Sequence, residues 1–470
     1  MKMWSGRFRE PLDPAFEQWQ RSIGFDWQLL PQEVAASKAH ARALCAAAII
    51  TPSELTSICD ALDGVQQEFW NPEKHGEIRD HATAEDIHHF VEMQLVAHIG
   101  DLGLKLHTGR SRNEQIATDL RLYIRECVTV LAGQLTKWSA ALAKKANAVG
   151  GAVMPAYTHL QRAEPVLVAH WLQAYVEMLL RDISRLLDCR DRLNFCPLGS
   201  GAVAGATLKL DRTIAAQELG FSRPTFNSMD ATSDRDFVLE YLHALTIVGL
   251  HVSRFAEEIT LYATAEFGFI ELPEAFSTGS SAMPQKKNPD LTELARAKVG
   301  RISGAAQTVT LLLKGLPLAY NKDLQETQEP VFAASAAAIS LVGLLTRFTL
   351  ALEFKTEKMR AACETGFLNA MAAATYLVHK GVPFRTAHEK IGHAVRYSLE
   401  KGCELGDLSL SELKEFGAEF DEDFFASITL QATVDCHDVM GGTATARVHE
   451  ALAALEPRLM EVAGSIDGHS

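Results

Sequence analysis

The chain is short of the features that mark several protein classes. Its eight cysteines (Cys45, Cys59, Cys127, Cys189, Cys196, Cys363, Cys403 and Cys436) include no C-x-x-C pair. That argues against a paired metal or redox motif and suits scattered, mostly buried thiols in a reducing cytoplasm. Positive charge is also scarce. A formal net charge of -14 leaves no basic excess for neutralising phosphates, so nucleic acid is not an expected partner. Long apolar runs are missing as well: residues 331–346 are free of charge but too short for a membrane span, and their Ala and Ser content predicts a buried helix. The first ten residues are too charged for a secretory signal, so neither export nor a membrane location is expected. No regular run of alternating β-branched residues occurs, which places the chain in the all-α class.

What is present is length, helix and local polarity. With 470 residues, 47% hydrophobic and 22% charged, the chain is long enough for a large core and two to four domains. Proline divides it into Pro-free stretches at 73–154, 166–196, 225–272, 290–316 and 331–382, each able to hold a long helix. Apolar residues recur at helical spacing over 166–193, and 236–262 is apolar on nearly every face. These helices predict a central bundle at 112–362, flanked by helical domains at 1–111 and 363–470. Helices this greasy imply burial against copies of the same chain.

Four polar stretches interrupt the helices. Residues 279–289 (Gly279-Ser280-Ser281-Ala282-Met283-Pro284-Gln285-Lys286-Lys287-Asn288-Pro289) place a hydroxyl, two ammonium groups and an amide before a helix start. Asn288 is expected to cap that helix, and Gly279 to free the backbone before Ser280. The loop thus brings Lys286 and Asn288 to the positive end of a helix, a natural site for a carboxylate. In the second stretch, Tyr157 to Pro165, Thr158 and His159 lie in a turn between two prolines. Histidine is the commonest acid or base near neutral pH, and Glu293 is a candidate to orient this one. The third, His107-Thr108-Gly109-Arg110-Ser111-Arg112-Asn113, has the donors that carboxylate binding needs, or forms a solvated basic turn with a cap. The fourth, Ala319 to Glu326, contains Tyr320 and Gln325; a plain loop is the simpler reading.

Other signals fail on inspection. Gly199-Ser200-Gly201 with Gly205 lacks G-x-G-x-x-G spacing and follows a helix, which excludes a dinucleotide site. Glu85-x-x-His88 and Glu240-x-x-His243 have the spacing of di-iron bundles, but the further inward glutamates are not evident, so no metal is expected.

Gly279-Ser280-x-x-Met283-x-x-Lys286-x-Asn288 resembles the signature of the fumarase/aspartase superfamily of fumarate lyases, and the Thr158-His159 and Ser111–Asn113 stretches match its other active-site regions in order. Within it the chain is most similar to the argininosuccinate lyase family, through Trp4-Ser5-Gly6-Arg7-Phe8, 107–113, Lys286-Lys287-Asn288-Pro289 and Tyr320-Asn321-Lys322-Asp323-Leu324-Gln325. The resemblance covers almost the whole chain. It implies a three-domain all-α fold whose long helices form a shared 20-helix core in a homotetramer, with each active site built from three subunits. It also implies cofactor-free β-elimination of argininosuccinate to arginine and fumarate, the last step of arginine biosynthesis. Ser280 is then the base, and His159, oriented by Glu293, assists the leaving nitrogen. Lys286 supports the charge that develops. Ser22, Asn113, Thr158, Asn288, Tyr320 and Gln325 are implied substrate contacts, with His88 and Gln328 at neighbouring family positions.

Three positions depart from the family pattern. Gln328 stands where a lysine is common, removing a cation for a substrate carboxylate; Glu164 stands for a usual glutamine; Ser5 replaces a glycine. Runner-up readings are another fumarate-releasing lyase, such as adenylosuccinate lyase, fumarase or aspartase, and a non-enzymatic protein like the crystallins related to this fold. Lys287 points away from fumarases and aspartases, which typically carry valine there.

Overall fold

A computed structural model describes residues 9–467, so the Trp4–Phe8 motif and its Ser5 lie outside the described residues. Five long helices dominate: α1 (Arg112–Val149), α2 (Val168–Leu193), α3 (Asp236–Tyr262), α4 (Asp290–Leu313) and α5 (Gln328–Ala351). Ser111 caps α1 and Glu114 bonds back to it, so the polar third stretch ends in a strong helix start. The proline-based reading placed most of these helices well. It overran α5, which stops at Ala351 with a short strand before the next helix begins at Thr356. By length and composition the segment ending in α5 is apolar enough to cross a membrane, yet in the chain it packs against α1, α3 and α4.

Side-chain pairs between helices fix their directions. Trp138 Nε1 donates to Thr349 Oγ1 at 2.9 Å, and the Tyr123 and Phe332 rings meet edge to face, so α1 and α5 run parallel. Tyr241 on α3 meets Ser335 on α5 at 3.0 Å, again parallel. Trp171 Nε1 donates to Glu258 at 2.6 Å while Cys189 lies by the Phe237 carbonyl, which makes α2 antiparallel to α3. Thr260 meets Thr292 at 2.8 Å and Val299 packs on Gly249, so α4 also runs antiparallel to α3. One end of the bundle therefore gathers the N-termini of α1, α3 and α5, and the other gathers their C-termini with the starts of α2 and α4. Trp138, Tyr241, Phe255 and Phe348 fill the space between.

Residues 363–467 divide in two. Helices Ala370–His379 and Phe384–Lys401 build a small core of their own around Leu377, Ile391, Phe420 and Phe424. The last helix, Thr445–Asp467, returns to the bundle, where Arg190 donates to the Ile466 and Ser465 carbonyls. Strands are few. The longest pair is an antiparallel hairpin of β1 (Val153–Thr158) and β2 (Gln161–Leu167), joining α1 to α2. All eight cysteines are free, four of them buried.

Candidate active site

The residues singled out in the sequence fall into two groups at opposite ends of the bundle. At the end with the N-termini of α1, α3 and α5 lie Ser22, His88, Asn113, Tyr320, Gln325 and Gln328. Ser22 is buried and donates to Asp26 Oδ2 at 2.6 Å, while its backbone N–H donates to the Glu85 carbonyl at 3.0 Å. Asp26 Oδ1 accepts the Ile87 N–H at 3.0 Å. Asp86 caps the helix Ile87–Ile99 by accepting from the His89 N–H and pairs with Arg112 at 3.2 Å. Gln325 Nε2 donates to the Gln20 carbonyl, Lys322 pairs with Glu85, and Asn113 Nδ2 donates to the Ala202 carbonyl. Gln328, in the first turn of α5, is buried and its Oε1 has no partner.

Charge at this end is held in two buried clusters. Burial, followed by the neighbouring Asp86 carboxylate, pushes the Asp26 carboxyl up to about 8. Asp86 stays low because Arg112 and then His88 outweigh its own burial. In the second cluster His88 Nδ1 lies 2.8 Å from Glu33 and 3.4 Å from Asp119, all three buried. Burial raises Asp119 well above the carboxylate range, and the adjacent Glu33 adds to it. Glu33 feels the same burial, but His88 and Arg110 more than offset it and hold the carboxyl low. The two acids are thus pushed in opposite directions. Their ligand atoms and His88 Nδ1 are close enough to hold a metal ion, yet Glu33 already accepts from Ser37 at 2.6 Å and Gln115 at 3.0 Å, and Arg110 supplies the balancing cation. His88 therefore does not use the E-x-x-H spacing: Glu85 pairs with Lys322 instead.

At the other end lie Thr158, His159, Ser280, Lys286, Asn288 and Glu293. Thr158 pairs with Gln161, leaving His159 and Leu160 as a two-residue turn with φ values of 55° and 57°. Both non-glycine residues occupy the left-handed region of a type I′ hairpin, so the strand pairing holds His159 on an exposed, strained tip. Thr278–Gly279 pairs antiparallel with Lys287–Asn288, which makes the Ser280 loop a small hairpin. Inside it Ser280 Oγ accepts the backbone N–H groups of Ala282 at 3.3 Å and Met283 at 3.1 Å. Lys287 is tied to Glu271 at 2.8 Å, whereas Lys286 is exposed.

Two expectations about this loop change. Asn288 does not cap α4: it sits in the hairpin with Nδ2 toward Thr278 Oγ1 and the Gly279 carbonyl, and Pro289 precedes the helix without a side-chain cap. Asp290 in the first turn accepts from Thr278 instead. Gly279 is not in the left-handed region, and a Cβ there would meet nothing closer than the Lys286 carbonyl at 3.9 Å.

Within one chain these two groups stay apart. α4 spans 24 residues, so at 1.5 Å per residue its ends are about 36 Å apart. No small molecule bridges that distance. Among the described residues no hydrogen bond or ion pair joins His159 to Glu293 or to Ser280. The acids behind Ser22 and His88, namely Asp26, Glu33 and Asp119, were not picked out from the sequence. A single acid in an amphipathic helix reads as solvated surface, and only its burial shows otherwise.

Comparison with known proteins bears on the family. A family model described as lyase matches residues 6–304, and one described as argininosuccinate lyase C-terminal matches 367–435. An argininosuccinate lyase of Acidobacterium capsulatum is 68% identical over 99% of this chain and 97% of its own length. The chain belongs to the argininosuccinate lyase family. The argininosuccinate lyase of Koribacter versatilis is 53% identical over 98% of each chain. Among solved structures, EDDS lyase in complex with formate superposes with a TM-score of 0.83 at 24% identity, over 98% of this chain and 93% of that one. A fumarate lyase from Mesorhizobium sp. BNC1 gives 0.72 at 21% identity, over 94% and 100%. At those identities the structures establish the fold, which is that of the fumarate lyases.

Proposed function

We propose that the chain cleaves argininosuccinate reversibly into arginine and fumarate by β-elimination, in the cytoplasm and without a cofactor. The observation that carries the chemistry is the Ser280 hydroxyl, which already receives two backbone N–H groups. Those donors stabilise an alkoxide and so make serine a usable base for a proton next to a carboxylate. Removing that proton leaves a dianionic intermediate. Lys286, Asn288 and the positive end of α4 meet its charge. His159, oriented by Glu293, then delivers a proton to the departing guanidino nitrogen. Ser22, His88, Asn113, Thr158, Tyr320, Gln325 and Gln328 hold the rest of the substrate.

The ~36 Å between the two groups supports a site assembled from several copies. Five long helices from each of four copies give the shared 20-helix core of a homotetramer, with three subunits contributing to each site. Leu250 on α3 and Leu294 and Leu311 on α4 are exposed in the single chain, which is the signature of an apolar face awaiting a partner. The division into 1–111, 112–362 and 363–470 fits this plan, with the bundle as the assembling part. The deciding experiment follows fumarate absorbance with argininosuccinate, adenylosuccinate, malate and aspartate in turn. Product from argininosuccinate alone is expected; product only from another substrate would replace this reading with a sister lyase, and product from none would leave a crystallin-like protein.

A further inference from the structure

Arg235 immediately precedes α3 and is only 1% exposed. Its Nη1 donates to the Asp234 carbonyl at 2.7 Å, but Nε and Nη2 are buried with no partner. The Asp234 carboxylate next door favours its charge but forms no ion pair with it. One oxygen pairs with Arg121 at 2.5 Å, and the other accepts the Asp236 N–H at 2.8 Å. A buried guanidinium with no ion-pair partner among the described residues and two idle N–H groups is costly to keep. Ordered water can complete hydrogen bonds there, but it cannot balance the charge. An anion can do both.

The neighbours of Arg235 belong to the substrate-holding end. Tyr241 and Ser335 meet across the parallel helices α3 and α5. Arg235 lies six residues before Tyr241, and Gln328 seven before Ser335, so each sits about 10 Å toward the same end. Gln328 is also 1% exposed, and its Oε1 is likewise unpartnered. Tyr320 completes the group. Burial pushes its hydroxyl up to about 12, and the first group opposing that rise is Arg235. The N-termini of α1, α3 and α5 add positive field at this end.

We propose that Arg235 is the buried cation through which this half-site holds a substrate carboxylate, acting through Tyr320 at the level of Gln328, where the family commonly has a lysine. This rests on the argininosuccinate reading above. Arg235 is a positioning residue: its charge strengthens the Tyr320 O–H as a donor to the carboxylate and lowers the cost of bringing that carboxylate into a closed site. The residue at 328 therefore need not be charged.

Steady-state kinetics on the full-length protein with argininosuccinate, together with thermal melts, test this. Gln328→Glu brings a carboxylate to the level of Arg235 and opposes its charge. KM should rise about tenfold or more with kcat within about threefold, while Tm holds or rises because the buried cation gains an opposing charge. Arg235→Gln should raise KM similarly, Arg235→Lys should keep most of the affinity, and the double variant Arg235→Gln with Gln328→Lys should regain most of what Arg235→Gln lost. An unchanged KM in Gln328→Glu overturns the proposal, as does a folded double variant no better than Arg235→Gln. Should Arg235→Gln fail to fold, Gln328→Glu decides alone. A wild-type protein that turns over no argininosuccinate overturns the function and this inference together, whereas an active wild type with unaltered Gln328→Glu kinetics overturns the inference only.

Discussion

Ser22 and Ser280 are both proposed to meet the substrate, yet the chain treats them in opposite ways. Ser22 is buried, donates to a buried carboxyl and belongs to a network that runs through Asp26, Ile87, Asp86 and Arg112. Ser280 is half-buried in a short hairpin and bonds only to N–H groups of its own loop. The difference separates holding from reacting. The holding end is built into the helix bundle, where packing fixes its geometry before any ligand arrives. The proposed reacting end sits on two hairpins and the first turn of α4, with Thr158, His159, Lys286 and Glu293 all exposed. On the proposed function, one chain carries each end as half a site.

Changes at the two ends should separate activity from stability. Ser280→Ala is expected to give the largest effect, a loss of kcat on the order of 10³-fold, with the melting curve unmoved because the hydroxyl supports nothing outside its loop. A substantial drop in Tm would show that the loop is structural after all. Asp26→Asn should act in the reverse sense. A carboxyl raised to about 8 keeps its proton more readily in the folded state, so that state binds more protons between about pH 4 and pH 8. Stability from this group therefore falls as pH rises through that window. Asparagine mimics the protonated acid, so the variant should gain on the wild type as pH rises, by on the order of 2 kcal/mol across the window. Melts at pH 5 and pH 8.5 that show a constant difference would contradict this. The smallest effect is expected at Leu160, an exposed leucine with φ of 57°. Leu160→Asn should stabilise the hairpin by roughly 0.5–1 kcal/mol, because asparagine tolerates that conformation. A loss of stability instead would mean that another copy covers the leucine.

Much of this layout was legible in the sequence. Proline spacing marked the long helices, and the four polar stretches all proved to lie at helix ends or hairpins. Local chemistry at those positions depends on neighbours in the chain, which a sequence displays. The rest depended on neighbours in space. Asn288 read as a helix cap because an amide precedes a helix start, but strand pairing with Thr278 claimed it first. Asp26, Glu33, Asp119 and Arg235 gave no signal because each is one polar residue among helical periodicities, and only packing shows it to be buried. The Gln328 departure looked like a lost cation; the buried guanidinium at the same level of the bundle was hidden by a separation of 93 residues.

The central claim is that one active site takes its holding end and its reacting end from different copies. Co-expressing a Ser280→Ala chain with a Tyr320→Phe chain under two tags, and purifying assemblies that carry both, tests it directly. Each parent alone should be nearly inactive. Because some sites in the mixed assembly combine an intact end from each chain, the account predicts recovery to about a quarter of wild-type activity. Mixed assemblies no more active than the sum of their parents would contradict it.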